Sequence, residues 1–392
     1  IMDPNPRPLA AWRRTTHNCG MRYLRSPAAH ALAPDFTALL AWAREHGYAR
    51  DEHTIPPYAR PSLELFLAHA DAVLEEAQLE RRWLRDTAVE LRRESPANRG
   101  DATALWEVVG ASGSVTRARK VVLAPGRSDG PRYPEWAREP HGRVVHLFEE
   151  RFDRSAAEQA AQPLIVGGGI SAAHLALHLA RHDRPVRVVA PHQLRVHQFD
   201  SHPCYLGPSC LNGFLALPAP DERRRELARV RHPGSITPEL HQELERARAT
   251  GTVIYEVDEI TDLTSGADEL VELHGNRTAY TADLVVLATG YLPGPPARGL
   301  VQTLEKGRGT RKPLPVDAAG YPVPRPSLEW DEGLYVTGAL AELELGPAAP
   351  NIVGAHNAAK RIVGTLGGAV RRVPQAWFRY APASVSRSSD SL

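Results

Sequence analysis

An α/β chain made of two related units is the fold this sequence predicts, and three observations predict it. The 392 residues are enough for two or three domains with sizeable cores. Within residues 162–191, "QPLIVGGG" reads as a short apolar strand running into glycines, "ISAAHLALHLARH" as a helix and "PVRVVAP" as a second strand. That is the order of a βαβ unit. "LWEVVGASGSVTRARKVVLAPG" (105–126) and "LVELHGNRTAYTADLVVLATG" (270–290) then repeat one design: strand, glycine-containing turn, second strand, and an apolar strand ending in Ala-x-Gly. Val121, Val122, Leu123, Ala124 and Gly126 line up with Val285, Val286, Leu287, Ala288 and Gly290.

The other elements follow in order. Pro, Gly and Asn in "THNCGMRYLRSPAAHALAP" and "DEHTIPPYARP" argue against long regular elements in the first sixty residues or so. "PSLELFLAHADAVLEEAQLE" (61–80) predicts a helix opening at Pro61, with Leu63, Phe66, Leu67, Ala70, Val73, Leu74 and Ala77 on one face. After residue 290 come a Pro/Gly-rich connection, a strand at "GLYVTGA" (333–339), and a helix from Asn351 to about Leu366 with Ile352, Ala355, Ala359, Ile362, Val363 and Leu366 inward. The tail, 376–392, reads as disordered.

Composition excludes some partners. Lys plus Arg number 47 against 46 Asp plus Glu, so no net field gathers nucleic acid or an anionic membrane. Apolar runs such as "FTALLAWA" fall far short of the ~20 residues of a membrane span, and no signal pattern opens the chain. Cys19, Cys204 and Cys210 form no CxxC pair and no zinc-type spacing. Neither a disulfide nor a dithiol redox centre is expected, and the reading is a cytoplasmic protein. His192, His197, His202, Cys204 and Cys210 lack helical or finger-like spacing, so no metal is expected either.

Chemistry concentrates at Gly167-Gly168-Gly169-Ile170-Ser171-Ala172, spaced G-x-G-x-x-A. Gly167 permits the tight turn, Gly169 lets a pyrophosphate approach the backbone, and the small Ala172 lets helix pack on strand. The phosphate then meets the helix amino end at Ile170 and Ser171. The second strand ends in "VVAPHQLR", with no acid to hold a ribose and with His192 and Arg195 nearby, which favours NADP over NAD. "IMDP" reads as the end of another second strand, with Asp3 in the ribose-binding position. On that reading a first strand, glycine loop and helix precede Ile1. Without that strand its neighbours would stand unpaired and expose apolar surface.

With these motifs the chain resembles the flavin-dependent monooxygenase superfamily with two dinucleotide-binding domains, especially bacterial relatives of lysine and ornithine N-hydroxylases. The likeness rests on Asp3, the VVLAPG strand, the glycine loop, the ATGY segment (Ala288, Thr289, Gly290, Tyr291) and "GLYVTGALAELELGPAAPNIVGA". "PHGRVVHLFEERF" adds Gly142 and His146 of a family fingerprint, with Pro140 in place of its first aromatic and Phe152 two positions late. The resemblance implies two Rossmann-like domains, the second inserted into the first. The boundaries expected are 1–162 for an incomplete FAD-binding domain, 163–284 for an NADP-binding domain, and 285–375 for the return to the first.

It further implies FAD and NADPH as cofactors, with Trp12, Met21, Gly126, Thr289, Gly290, Gly338 and Ile352 lying along them. Asn351, at a helix start, would sit where a helix amino end stabilises negative charge on the reduced ring. His17, Asn18, Met21 and Arg22 either shape the substrate side or satisfy loop backbone. The implied activity is NADPH oxidation coupled to oxygen insertion into a nitrogen or sulfur of a small molecule. The flavin carries that chemistry, so no catalytic acid, base or nucleophile is named. A flavin reductase and a nucleotide-binding protein without turnover are the alternatives, and a homo-oligomer stays open.

Overall fold

Pro163–Val166 is the middle strand of the larger sheet, and all four of its residues are buried because both faces of the sheet are covered. Ile165 points into a core with Leu175, Ala176 and Leu179 of helix Ile170–Leu179 and Leu240 and Leu244 of helix Pro238–Ala249. Leu164 and Val166 point the other way, onto Leu273, Tyr280 and Ala282 of an antiparallel three-stranded sheet. This two-sided burial is the physical reason for a continuous apolar run where a half-exposed strand would alternate. Residues 1–94, 105–139, 141–182, 184–265 and 270–367 are described in the computed structural model, and every structural statement concerns these residues.

The larger sheet runs Val253–Val257, Val186–Ala190, Pro163–Val166, Leu284–Leu287, Val144–His146, all parallel. Ile165 is the register point, opposite Val188 on one side and Val286 on the other. The expected boundaries meet this sheet in two places. Val144–His146 joins it before residue 163, and the division between 284 and 285 runs through strand Leu284–Leu287. The repeated hairpin design is present in both units, since strands Trp106–Gly110 and Val115–Ala118 precede Val121–Leu123 as Val271–Gly275 and Ala279–Ala282 precede Leu284–Leu287. Val121–Leu123 and Leu284–Leu287 nonetheless lie in different sheets.

In the first unit Val121–Leu123 pairs in parallel with Leu334–Val336, over a core of Trp106, Leu123, Leu328, Leu334 and Tyr335. Met2–Asp3 pairs in parallel with Leu84–Arg85 and ends at Asp3. Among the described residues, Met2–Asp3 and Val121–Leu123 each have a strand on one side only, and Ile1, Leu84 and Val122 are 58%, 42% and 46% exposed.

In the first sixty residues the helices Ala10–Asn18, Ala38–Glu45 and Arg50–His53 are short, in keeping with the turn residues there. Several expectations are corrected. The next helix spans Leu63–Glu76 and opens at Ser62, whose side chain accepts from the Leu65 N–H; Pro61 stays in a two-residue strand pairing Arg60 and Pro61 with Ile55 and Thr54. Its buried face is Leu65, Phe66, His69 and Ala70. The last helix, Ile352–Thr365, buries Val353, Gly354, Ala358 and Ile362, while Val363 and Leu366 are exposed. Both faces are turned from those expected because the packing partners, absent from any periodicity argument, select the stripe. Cys204 and Cys210, expected free, form a disulfide across a loop that brings their Cα atoms to 5.3 Å. Residues 376–392 lie outside those described.

Arg25 ties the units together. Its guanidinium donates to the Gln198 carbonyl at 3.0 Å, the His197 carbonyl at 2.8 Å, the Asp200 carboxylate at 2.6 Å and the Ser235 hydroxyl at 2.9 Å. Burial lowers its pKa, against the attraction of Asp200. Arg60, more deeply buried, donates to the Leu24 carbonyl at 3.1 Å and pairs with Glu239 across the same interface. Removing one partner of such a group leaves the others desolvated and unpaired. Arg25→Met is therefore expected to cost about 3 kcal/mol in urea unfolding, against little change for the exposed Arg138→Met; a loss below about 1 kcal/mol would contradict the assignment.

Candidate functional site

The glycine turn is built by close approach. Gly167 sits at φ 139°, and a Cβ there would lie 2.8 Å from the Ala288 carbonyl carbon. At Gly168 a Cβ would press on the Tyr255 hydroxyl at 2.9 Å and on Ala190 and His192 at 3.0 Å. At Gly169 it would stand 3.6 Å from the Gly234 Cα, so the turn closes under a second glycine. Gly169 caps helix Ile170–Leu179 with no side-chain hydrogen bond, which leaves its first-turn N–H groups for a ligand. Ala172, 1% exposed, brings the helix down onto the sheet. A pyrophosphate fits this cradle of backbone donors and positive helix end.

The strand after the helix ends at Ala190, and no free carboxylate follows it. The backbone N–H of Asp258 donates to the Ala190 carbonyl at 2.9 Å. Its carboxylate accepts from the Tyr280 hydroxyl at 2.9 Å and from the Glu259, Arg277 and Thr278 N–H groups. Burial opposes its charge, yet these bonds hold its pKa below the usual carboxylate value. The Tyr255 hydroxyl donates to the His192 carbonyl at 2.9 Å, and Arg248 stands 5.6 Å from the Tyr255 ring centre. Arg195 is exposed and donates to the Pro233 carbonyl at 3.3 Å. His192, Arg195 and Arg248 thus stand near this strand end, and the Asp258 carboxylate is committed to its own hydrogen bonds.

On the first unit, the Asp3 carboxylate accepts from both the Asn5 N–H (2.7 Å) and the Asn5 amide (2.9 Å). Gly126 (φ 88°) and Gly338 (φ 60°) approach each other, a Cβ on the latter lying 3.9 Å from the Gly126 carbonyl oxygen. Asn351 precedes helix Ile352–Thr365 without bonding its first turn, so that helix end too offers free N–H groups. Ile352, Trp12 and Met21 pack against one small helical cluster, with Trp12 on Phe66 at 5.0 Å. The structure thus gathers Trp12, Met21, Asn351 and Ile352 at one end of the first unit. Arg195 lies on the second unit, apart from this group.

The two crossings between units run side by side. Strand Val144–His146 is next to Leu284–Leu287, and the Leu147 N–H donates to the Leu287 carbonyl at 3.0 Å. His146 is wholly buried; its Nδ1 accepts from the Phe148 N–H at 3.1 Å, which leaves the Nε2 proton facing the Thr289 hydroxyl at 3.3 Å. Thr289 in turn donates to the Arg132 carbonyl. The Thr289 hydroxyl is therefore committed to the crossing, whereas Gly290 (φ 84°) makes the turn beside it. Phe148 stacks on Tyr291 at 4.5 Å, and the Asn18 amide donates to the Leu147 carbonyl at 2.9 Å.

Of the residues weighed for the substrate side, Asn18 is buried structure, and Arg22 pairs with Glu243 at 3.4 Å. Sequence reasoning missed Arg25, Arg60 and Phe148. Their partners lie far along the chain, and no local spacing announces them. No group of metal-ligating side chains occurs among the described residues, nor any helix long and apolar enough to cross a membrane.

Comparison with known proteins bears on the family and on the fold. Residues 94–293 match the model of the family described as L-lysine 6-monooxygenase/L-ornithine 5-monooxygenase. Among curated proteins no sequence matches. The fold is similar to that of the FAD-bound cadaverine monooxygenase DfoA of Erwinia amylovora, with a TM-score of 0.69 and 18% identity over 98% of this chain and 92% of that one. It is also similar to the ornithine hydroxylase PvdA of Pseudomonas aeruginosa (TM-score 0.67, 18% identity, 93% and 90% covered). The L-lysine 6-monooxygenase of Pseudomonas syringae is likewise similar (TM-score 0.64, 20% identity, 93% and 90% covered).

Two outcomes follow from the geometry. Gly167→Ala forces a Cβ onto the Ala288 backbone, and it is expected to cost about 2 kcal/mol or more of stability and to abolish nucleotide binding. Urea unfolding and NADPH fluorescence titration would read both, and normal affinity in the variant would refute the cradle. Burial holds His30 and His146 down to about 4, from 6.5. The unfolded chain binds their protons first, so the stability they contribute is present above pH 6.5 and is lost as pH falls toward 4. About 2 kcal/mol per histidine should disappear between pH 7 and pH 5. His146→Gln should remove its share of that slope in unfolding curves at the two pH values.

Proposed function

This chain belongs to the L-lysine 6-monooxygenase/L-ornithine 5-monooxygenase family, and from that premise we propose that it hydroxylates the nitrogen of a small primary amine with NADPH and oxygen, on FAD. The overall change is amine plus O2, NADPH and a proton to hydroxylamine, NADP+ and water. The observation that carries the reading is the backbone cradle at Gly167–Ser171, where three glycines and an uncapped helix end leave room and donors for a pyrophosphate. Relatives of the same fold are named for FAD, reduced FAD, NADP+ and L-ornithine.

The roles assigned to this chain's residues follow from where they lie. Ile170, Ser171 and Ala172 donate their N–H groups to the NADPH pyrophosphate, which the positive helix end also attracts. His192 and Arg195 take the 2′-phosphate, and the absence of a free acid after Ala190 removes the group that would prefer a bare ribose. Asp3 holds the FAD ribose, and Gly126 and Gly338 let the cofactor approach the backbone between two strand ends. Asn351 and the N–H groups behind it face the flavin and favour negative charge on it. Bound flavin supplies hydride acceptance from the nicotinamide and oxygen transfer to the substrate nitrogen. Trp12, Met21 and Ile352 contribute apolar walls that keep water from that end of the site.

The test is NADPH oxidation by the FAD-loaded chain with cadaverine, ornithine and lysine in turn, scoring hydroxylamine against hydrogen peroxide. Hydroxylamine from at least one of them is expected. Peroxide alone with every amine would replace the proposal with a flavin reductase. A chain that leaves gel filtration without flavin absorbance after incubation with excess FAD would remove the flavin from the reading. Arg195→Glu is expected to raise KM for NADPH about tenfold while leaving that for NADH within about twofold; equal effects on both would remove Arg195 from the phosphate site.

A further inference from the structure

The Cys204–Cys210 disulfide lies where a covalent change reaches the helix end assigned to the flavin. Cys204 belongs to the short 3-10 helix Pro203–Leu206 and Cys210 to helix Pro208–Leu215, with Gly207 as the joint between them. Both cysteines are half-buried residues at the edge of a small apolar cluster of Tyr205, Phe214, Leu227, Val230 and Leu343. Leu343 is not a neighbour in sequence. It sits on Glu342–Leu345, the stretch that leads through Gly346 to Asn351.

That stretch is held by the disulfide-bearing helix and the helix after it. Leu211 fills the space where a Cβ on Gly346 would go, 2.9 Å away, with the Phe214 ring behind it at 3.9 Å. Arg223 works as a bracket: it donates to the Leu215 and Leu217 carbonyls at 2.9 and 3.0 Å, and to the Leu343 carbonyl and Glu344 carboxylate at 3.1 and 2.6 Å. Arg224 and Arg231 both pair with the buried Glu342. Beyond Gly346, the Ala349 N–H returns to the Gly346 carbonyl and the Asn351 N–H to the Ala348 carbonyl, so the course of residues 346–351 is set by where Gly346 rests.

Helix Pro208–Leu215 has eight residues, too few to persist in water without tertiary support. Its support is the small cluster, Arg223 and the disulfide. Opening the disulfide restores freedom to a loop closed at a sequence separation of 6, which by chain entropy shifts the balance toward the released helix by a few tens of fold at most. Leu211 and Phe214 leave with it, and the Gly346 segment loses the surface against which it turns.

We propose that Cys204–Cys210 is a thiol–disulfide exchange site through which a dithiol reductant loosens residues 343–351, and with them the flavin end of the site. A thiolate of the reductant attacks one sulfur of the pair, the S–S bond breaks, and the other cysteine leaves as a thiolate that takes a proton. The second thiol of the reductant then displaces the first cysteine, which is also protonated. The pair gains two electrons and two protons, and the dithiol becomes a disulfide. The consequence for the flavin rests on the functional reading above; the change in residues 343–351 does not.

The experiment compares the whole chain before and after dithiothreitol, with thiol counting, hydrogen exchange by mass spectrometry and FAD retention. Cys19 is an internal control, since burial pushes its thiol up to about 12 and keeps it unreactive in both states. Two additional reactive thiols should appear on reduction, amide exchange in 208–217 and 343–351 should quicken about tenfold, and FAD should be lost several times faster. The double variant Cys204→Ser, Cys210→Ser should show the faster exchange without reductant and no further response to it. Free thiols at both positions in air-equilibrated protein would overturn the proposal, as would unchanged exchange in 343–351 on reduction. Faster exchange there with FAD retention unaltered would keep the exchange site and overturn the placement of Asn351 at the flavin.

Discussion

The chain enters and leaves its second unit through neighbouring strands, and the site depends on that constraint. Val144–His146 and Leu284–Leu287 lie side by side in one sheet, so the segments that follow them must cross to the first unit together. Each crossing supplies half of a bonded joint: His146 and Phe148 from one, Thr289 and Tyr291 from the other. Because the His146 ring is wholly buried, its end of the joint is shielded from water and its hydrogen bonds are made within the protein. Gly167 rests on Ala288 in the same place, so the nucleotide turn and the crossing share one contact.

Around that joint the arginines act as long-range connectors. Arg25 and Arg60 reach from the first unit into the second, and Arg223, Arg224 and Arg231 reach from the second unit back to Glu342 and Glu344. A planar guanidinium with five donors can satisfy several carbonyls and a carboxylate at once, which a lysine cannot. The abundance of arginine in the composition therefore has a structural use at these five positions, although composition alone carried no hint of which arginines would be buried.

Much of the site was legible. The Gly167 turn, the helix after it and the strand beyond were readable because a dinucleotide turn is local: its glycines, its helix and its two strands are contiguous, and each has a steric reason at its own position. The strand ending at Asp3 and the helix beginning at Asn351 were readable for the same reason. Less legible was the face each helix buries. Leu65 and His69 are inside where Leu67 and Val73 were expected, and Val363 is outside, since apolar residues ring these helices broadly and the neighbours choose among them. Cys204 and Cys210 escaped because spacing rules for cysteine describe known motifs, whereas a disulfide needs only two Cβ atoms brought close by a turn.

By itself the sequence determined the α/β class, the repeated strand-hairpin design and the glycine turn of the βαβ unit, all of which follow from periodicity and sterics within short stretches. The tertiary structure decided which strands share a sheet, so that Val121–Leu123 and Leu284–Leu287, alike in sequence, serve different units. It also decided which polar side chains are spent on holding the units together, bonding Thr289 and Asn18 to carbonyls far along the chain and putting Arg25 at the interface. The physical reason is range. Backbone conformation and local packing are written within a few residues, but the partner of a buried donor is set by closure of the whole chain, and in this protein such partners lie more than a hundred residues apart.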